Sequence, residues 1–140
     1  MLVCVDTNVL LRVFARNSPL APLFLALAGG RLGRAVSTPI LLEYQEVVVS
    51  KGGAAFWTRF DRWLDLADAL HGNILRVSPS FHFHIATADA DDNIFTDCAI
   101  TAEADWLITE GAHFAPLAGA GYKPQPIAPA DFIVRFPAGK

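Results

Sequence analysis

The run Leu2-Val3-Cys4-Val5 sets four apolar residues side by side without a polar interruption, and Asp6 follows it directly. A strand with one wet face alternates in polarity. An unbroken apolar run is instead a strand covered on both faces, and it belongs at the centre of a parallel sheet. Apolar residues at helical spacing resume at Val9, so the chain turns from strand to helix within a few residues. Ligands of open α/β sheets bind just beyond the carboxyl ends of the strands. The pattern therefore puts Asp6 at the edge where such folds do their chemistry.

The rest of the chain repeats this alternation. Val9 to Ala15 reads as a short helix and Pro22 to Ala28 as a second, ended by Gly29-Gly30. Ala35-Val36-Ser37 predicts a short strand. Thr38 and Pro39 then read as the N-cap and first position of a helix. Its apolar residues at 40, 41, 44, 47 and 48 share one face, and Lys51-Gly52-Gly53 ends it. A further helix over 54–70 carries Phe56, Trp57, Phe60, Trp63, Leu64 and Ala67 on one side. Ile74 to Val77 predicts a strand, and a loop runs through His82 and His84 to Asp92. A helix over 93–104 follows, then a strand over Trp106 to Thr109. The Gly/Pro-rich stretch 116–129 reads as a surface loop, with a weak last strand at Ile127-Ala128 and a closing helix from Asp131 to Phe136. Strands separated by helices predict an α/β fold, a three-layer α/β/α sandwich around a central parallel sheet. Without a repeat or a dividing linker, residues 1–140 read as one domain.

Composition narrows the function classes. Hydrophobic residues make up 53% and charged residues 18%, which excludes a disordered chain. No apolar run is long enough to span a bilayer, and no secretion signal is visible at the N-terminus. Cys4 and Cys98 fall inside predicted buried elements and read as two small core residues rather than a bridge, so the expected location is cytoplasmic. The net charge of −3 does not suit a surface broadly dedicated to nucleic acid. It leaves room for a nuclease, because clustered carboxylates lower the total and a bound divalent ion reverses the local sign. Residues 80–110 hold five Asp, two Glu and no Lys or Arg, whereas Arg12, Arg16, Arg31, Arg34, Lys51, Arg59 and Arg62 lie in the first half. Such an asymmetry suits an acidic pocket with a basic rim, and equally an uneven solvated surface.

Acids recur where strands end and helices begin. Asp6 follows the first strand, and Glu43 sits on the first turns of the helix after the second. Asp89, Asp91, Asp92 and Asp97 surround the start of the helix before the Trp106 strand, and Glu110 follows that strand. Carboxylates drawn from separate elements onto one sheet edge are what hard divalent cations require. Asn93 and Asp97 share a helix face, and Asp92, as a cap, is free to turn toward the same cleft or simply to cap. Glu46 stands three residues from Glu43 as its alternative, farther from the strand end. Asp89 and Asp91 fit a solvated loop better. His82 and His84 have a spacing that suits a shared zinc on a strand, but no third ligand completes a set.

Val5-Asp6-Thr7-Asn8-Val9-Leu10 resembles the opening motif of PIN domains, the nuclease fold found in many bacterial toxin–antitoxin pairs. Ser37-Thr38-Pro39-Ile40-Leu41-Leu42-Glu43 is similar to the family's second acidic motif. Asp89-Ala90-Asp91-Asp92-Asn93-Ile94-Phe95-Thr96-Asp97-Cys98-Ala99 and Ala104-Asp105-Trp106-Leu107-Ile108-Thr109 resemble, in the right order, the third motif and following strand of one PIN branch. The resemblance implies a PIN-like fold in which Asp6, Glu43, Asp92 and Asp97 hold one or two Mg²⁺ or Mn²⁺ ions. It implies that Asn8 orients Asp6, with Asn93 and Thr109 as polar supports beside the acids. It further implies hydrolysis of RNA phosphodiester bonds, leaving a 5′-phosphate and a 3′-hydroxyl. The implied partners are RNA, an antitoxin protein and a second copy of the chain in a homodimer, with no membrane.

One position departs from the pattern. The branch carries an acid two residues beyond the strand threonine, and here that place is taken by Gly111 in Thr109-Glu110-Gly111-Ala112-His113-Phe114. Glu110 is adjacent, but successive side chains point in different directions. A PIN-fold protein that binds RNA or a partner without cleaving is therefore the alternative expectation.

Overall fold

A computed structural model describes residues 1–81, 83 and 93–137. The fold is a three-layer α/β/α sandwich around five parallel strands: β1 (Leu2–Val5), β2 (Gly33–Val36), β3 (Ile74–Arg76), β4 (Trp106–Ile108) and β5 (Gln125–Ile127). Their order across the sheet is β3-β2-β1-β4-β5. The order steps outward from β1 in both directions, so the topological switch point lies between β1 and β4. Val3 pairs with Arg34 on one side and Trp106 on the other. Val3, Cys4 and Val5 are fully buried, as the unbroken apolar run predicts.

Helices α1 (Thr7–Val13), α2 (Ala21–Ala28), α3 (Thr38–His71), α4 (Asn93–Thr101) and α5 (Pro129–Arg135) complete the layers, with a 3-10 helix over Ala112–Leu117. Helix α4 packs on β1, β2 and β4. One core joins β1, β2 and β4 to Leu10, Ile40, Tyr44, Phe95 and Phe132. Cys4 and Cys98 are both free and buried in it. The hydrogen bond with Cys98, followed by burial, pushes the Cys4 thiol well above its ordinary pKa, so it stays protonated.

Three local expectations are corrected. The N-cap of α3 is Ser37, whose Oγ accepts from the Ile40 backbone N–H, and Thr38 and Pro39 occupy the first helical turn. The two helices predicted on either side of Gly52-Gly53 meet without an intervening loop. Gly53 alone leaves helical geometry (φ 85°, ψ 168°) and kinks a 34-residue run. That conformation is essentially closed to residues with a Cβ. The stretch 116–129 is not a plain loop. Part of it belongs to the 3-10 helix, and β5 lies inside it, starting two residues before the weak strand predicted at Ile127-Ala128. Gln125 supplies the order, its side-chain amide donating to the carbonyls of Leu117, Tyr122 and Pro124. Pro126 is tolerated because β5 is an edge strand. No helix among the described residues is long and apolar enough to cross a membrane.

Candidate active site

The candidate site begins where β1 ends. Asp6 continues the sheet by one backbone bond, its N–H donating to the Ile108 carbonyl at 3.0 Å, and then serves as N-cap of α1 with extended geometry. Its side chain makes no capping bond. The Thr109 hydroxyl, just past β4, instead donates to Asp6 Oδ2 at 2.8 Å. Thr109 Oγ1 also accepts from the Gly111 N–H at 2.9 Å. The two strand ends that flank the switch point are thus tied through one hydroxyl. Asp6 is 9% exposed and Thr109 4%, and a hydrogen bond to a carboxylate in such a place contributes about 1.5–3 kcal/mol.

Glu43 comes in from α3. It is half-buried, and the hydroxyl of Thr7, the residue after Asp6, donates to its Oε2. Glu46 lies exposed farther along the helix. Asp97, on α4, is 5% exposed, and its Oδ1 accepts from the Phe83 backbone N–H at 2.9 Å. Asn93 is the half-buried first residue of α4, one helical turn before Asp97. Asp92, with Asp89, Asp91, His82 and His84, lies outside the described residues. Asn8, expected to orient Asp6, stands exposed in the first turn of α1, and Thr109, expected as a polar support, supplies a hydroxyl that reaches Asp6.

Two contributors escaped the sequence reading. Thr7 carries the link between the Asp6 turn and Glu43. Tyr44, next to Glu43, is fully buried and donates its hydroxyl to the Val5 carbonyl, the residue before Asp6. Burial raises the Tyr44 phenol well above its ordinary pKa, which keeps the proton this bond requires. Thr7 carries a faint signal as the middle residue of Asp6-Thr7-Asn8. Tyr44 gives none, because any large residue on that helix face satisfies the apolar pattern.

The donors fit a hard cation in kind. Asp6, Glu43 and Asp97 are carboxylates on three separate elements, the first two accepting from hydroxyls, and oxygen ligands are what Mg²⁺ and Mn²⁺ take. Among the described residues, no group of three or more His, Cys, Asp or Glu is arranged to hold a metal ion. Glu110 is exposed and forms an ion pair with Arg12 on α1, so its charge is directed to the surface. Gly111 has φ −76° and ψ 127°, ordinary extended geometry that does not require glycine.

A family model described as a PIN domain matches residues 2–113. Among solved structures, the chain is similar to that of VapBC2 from Rickettsia felis bound to a DNA fragment from their promoter. The TM-score is 0.58 at 16% sequence identity, over 90% of this chain and 98% of that one. At that identity the likeness is one of fold. No curated protein matches the chain.

Proposed function

The chain belongs to the PIN domain family, and from that premise we propose that it is a metal-dependent endoribonuclease acting as the toxin of a toxin–antitoxin pair. The observation that carries this reading is the buried Asp6 carboxylate at the switch point of the sheet, oriented by Thr109. Asp6, Glu43 and Asp97, together with Asp92, would hold Mg²⁺ or Mn²⁺. The chemistry such an ion would supply, when bound, is a lowered pKa for a water and compensation of charge on the scissile phosphate. Thr109 and Thr7 orient Asp6 and Glu43 through their hydroxyls. Asp97 presents its carboxylate from α4, with Asn93 on the same face. The substrate is single-stranded or structured RNA, and the products carry a 5′-phosphate and a 3′-hydroxyl.

Partner surfaces are available. Leu25 on α2 and Trp63, Leu66 and Leu70 on α3 are large apolar side chains more than half or about half exposed. With a mean hydropathy of +0.36, they support docking of an antitoxin and a homodimer in the cytoplasm. Light scattering of the purified chain, alone and with the product of an adjacent gene, measures both.

A second reading is favoured by Gly111: a PIN-fold protein that binds RNA or a partner without cleaving it. One experiment separates the two. Mn²⁺-dependent cleavage of RNA is measured for wild type, Asp6→Ala and Gly111→Asp. The nuclease reading expects activity in the wild type and a loss of at least about a hundredfold in Asp6→Ala. Silence from the wild type with activity in Gly111→Asp supports the binding protein. Silence from both sinks the nuclease reading.

A further inference from the structure

A cleft of about 110 Å³ is lined by residues of α3 from both sides of the Gly53 kink together with residues of β2 and β3. Arg34 of β2 lines it and is 2% exposed. Its Nη1 is closed to solvent and has no hydrogen-bond partner among the described residues. A guanidinium left in that condition calls for an acceptor. The other polar lining decides what kind. Arg76 from β3 and Asp61 and Asp65 from α3 also border the cleft, so two cations face two carboxylates. Arg76 is further tied to Asp68 at 3.7 Å. A free anion gains little from a balanced set of charges. The complement is a ligand that offers an acceptor edge and a donor edge together. Trp57 adds an aromatic wall, and aromatic side chains are where unpaired bases stack.

We infer that this cleft binds a guanine base of single-stranded RNA. Guanine presents O6 and N7 as acceptors, the edge arginine most often reads, and N1–H and N2–H₂ as donors suited to a carboxylate. Once the lining side chains part to admit the base, Arg34 takes the acceptor edge and Asp61 the donor edge. The space admits the reading edge of one base. Tyr44 connects the cleft to the acidic site: it lines the cleft, follows Glu43 in α3, and bonds the carbonyl before Asp6. A guanine held here would select which phosphodiester is presented at Asp6. The inference rests on the nuclease reading for its purpose, but binding is measurable without cleavage.

The test is titration of the metal-free full chain with guanosine, adenosine and cytidine, followed by saturation-transfer NMR and calorimetry. Acetate and inorganic phosphate serve as small-anion probes. Saturable guanosine binding is expected, preferred over adenosine by about tenfold or more. Arg34→Gln and Asp61→Asn should each weaken it about tenfold. Asp61 is partly exposed, so Asp61→Asn carries the test if Arg34→Gln does not fold. Equal binding of all nucleosides, binding of acetate or phosphate in place of guanosine, or no saturable binding overturns the inference. A chain that binds guanosine but never cleaves RNA upholds the cleft and overturns only the nuclease reading. A chain that cleaves RNA without binding guanosine does the reverse.

Discussion

At the scale of single residues, the site depends on which hydrogen bonds each acid accepts. Asp6 occupies an N-cap position yet leaves the cap unmade, and its Oδ2 turns to Thr109. Thr109→Val keeps the shape and removes a hydroxyl that both donates to Asp6 and accepts from Gly111. It should cost about 1–3 kcal/mol in urea unfolding, because a buried carboxylate loses a donor. It should also weaken the stabilisation of the fold by millimolar Mn²⁺, read as a smaller rise in melting temperature. Gly111 is the converse case. A Cβ there would sit 3.3 Å from Thr109 Oγ1 and 3.4 Å from Phe114 Cδ2, close enough to need a shift of a few tenths of an ångström. The backbone itself accepts any residue. Gly111→Asp is therefore expected to fold with a stability change within about 1 kcal/mol. It should raise the Mn²⁺-induced gain in melting temperature, and an unchanged gain would deny that this position faces the acids.

At the scale of elements, α3 is the decisive piece. Its first half, capped by Ser37, brings Glu43 and Tyr44 to the carboxyl side of β1 and β2, and its second half closes the cleft over Arg34. The break at Gly52-Gly53 was legible from composition. That the two halves meet directly was not, since one glycine at φ 85° and ψ 168° can redirect a helix without a loop. A Cβ at Gly53 meets nothing within 4 Å, so any penalty for Gly53→Ala comes from the backbone alone. The variant should lose about 1–3 kcal/mol in denaturant unfolding, or straighten α3 and abolish guanosine binding. Wild-type stability together with wild-type binding would show that the kink is not needed.

At the scale of the molecule, the sheet is joined near its amino-terminal edge by Asp105. Asp105 Oδ2 accepts from the Leu2 N–H at 2.8 Å, its own N–H donates to the Leu2 carbonyl at 2.7 Å, and Lys123 lies 3.3 Å from its Oδ1. The Leu2 N–H and then Lys123 hold the Asp105 carboxyl below its usual pKa of 3.8. A carboxyl with a depressed folded-state pKa stabilises the fold above its unfolded value, and that contribution is lost as pH falls through the folded value. Asp105→Asn should therefore lower stability at pH 7 and flatten the fall in stability below about pH 4, measured by thermal unfolding across a pH series. An unchanged acid limb would remove Asp105 from the account. The α/β/α class, the buried first strand and the place of Asp6 at its end were determined by the sequence itself. They follow from apolar periodicity and chain order, which are local properties. The identity of the groups that meet was decided only in three dimensions. The Thr109–Asp6 bond joins residues 103 apart, Thr7 reaches Glu43 across 36, and Arg34 is buried in a strand where a charge is not expected. Such pairings depend on the register of β1 against β2 and β4 and on the bend in α3. Both are products of long-range packing, and no local pattern encodes them.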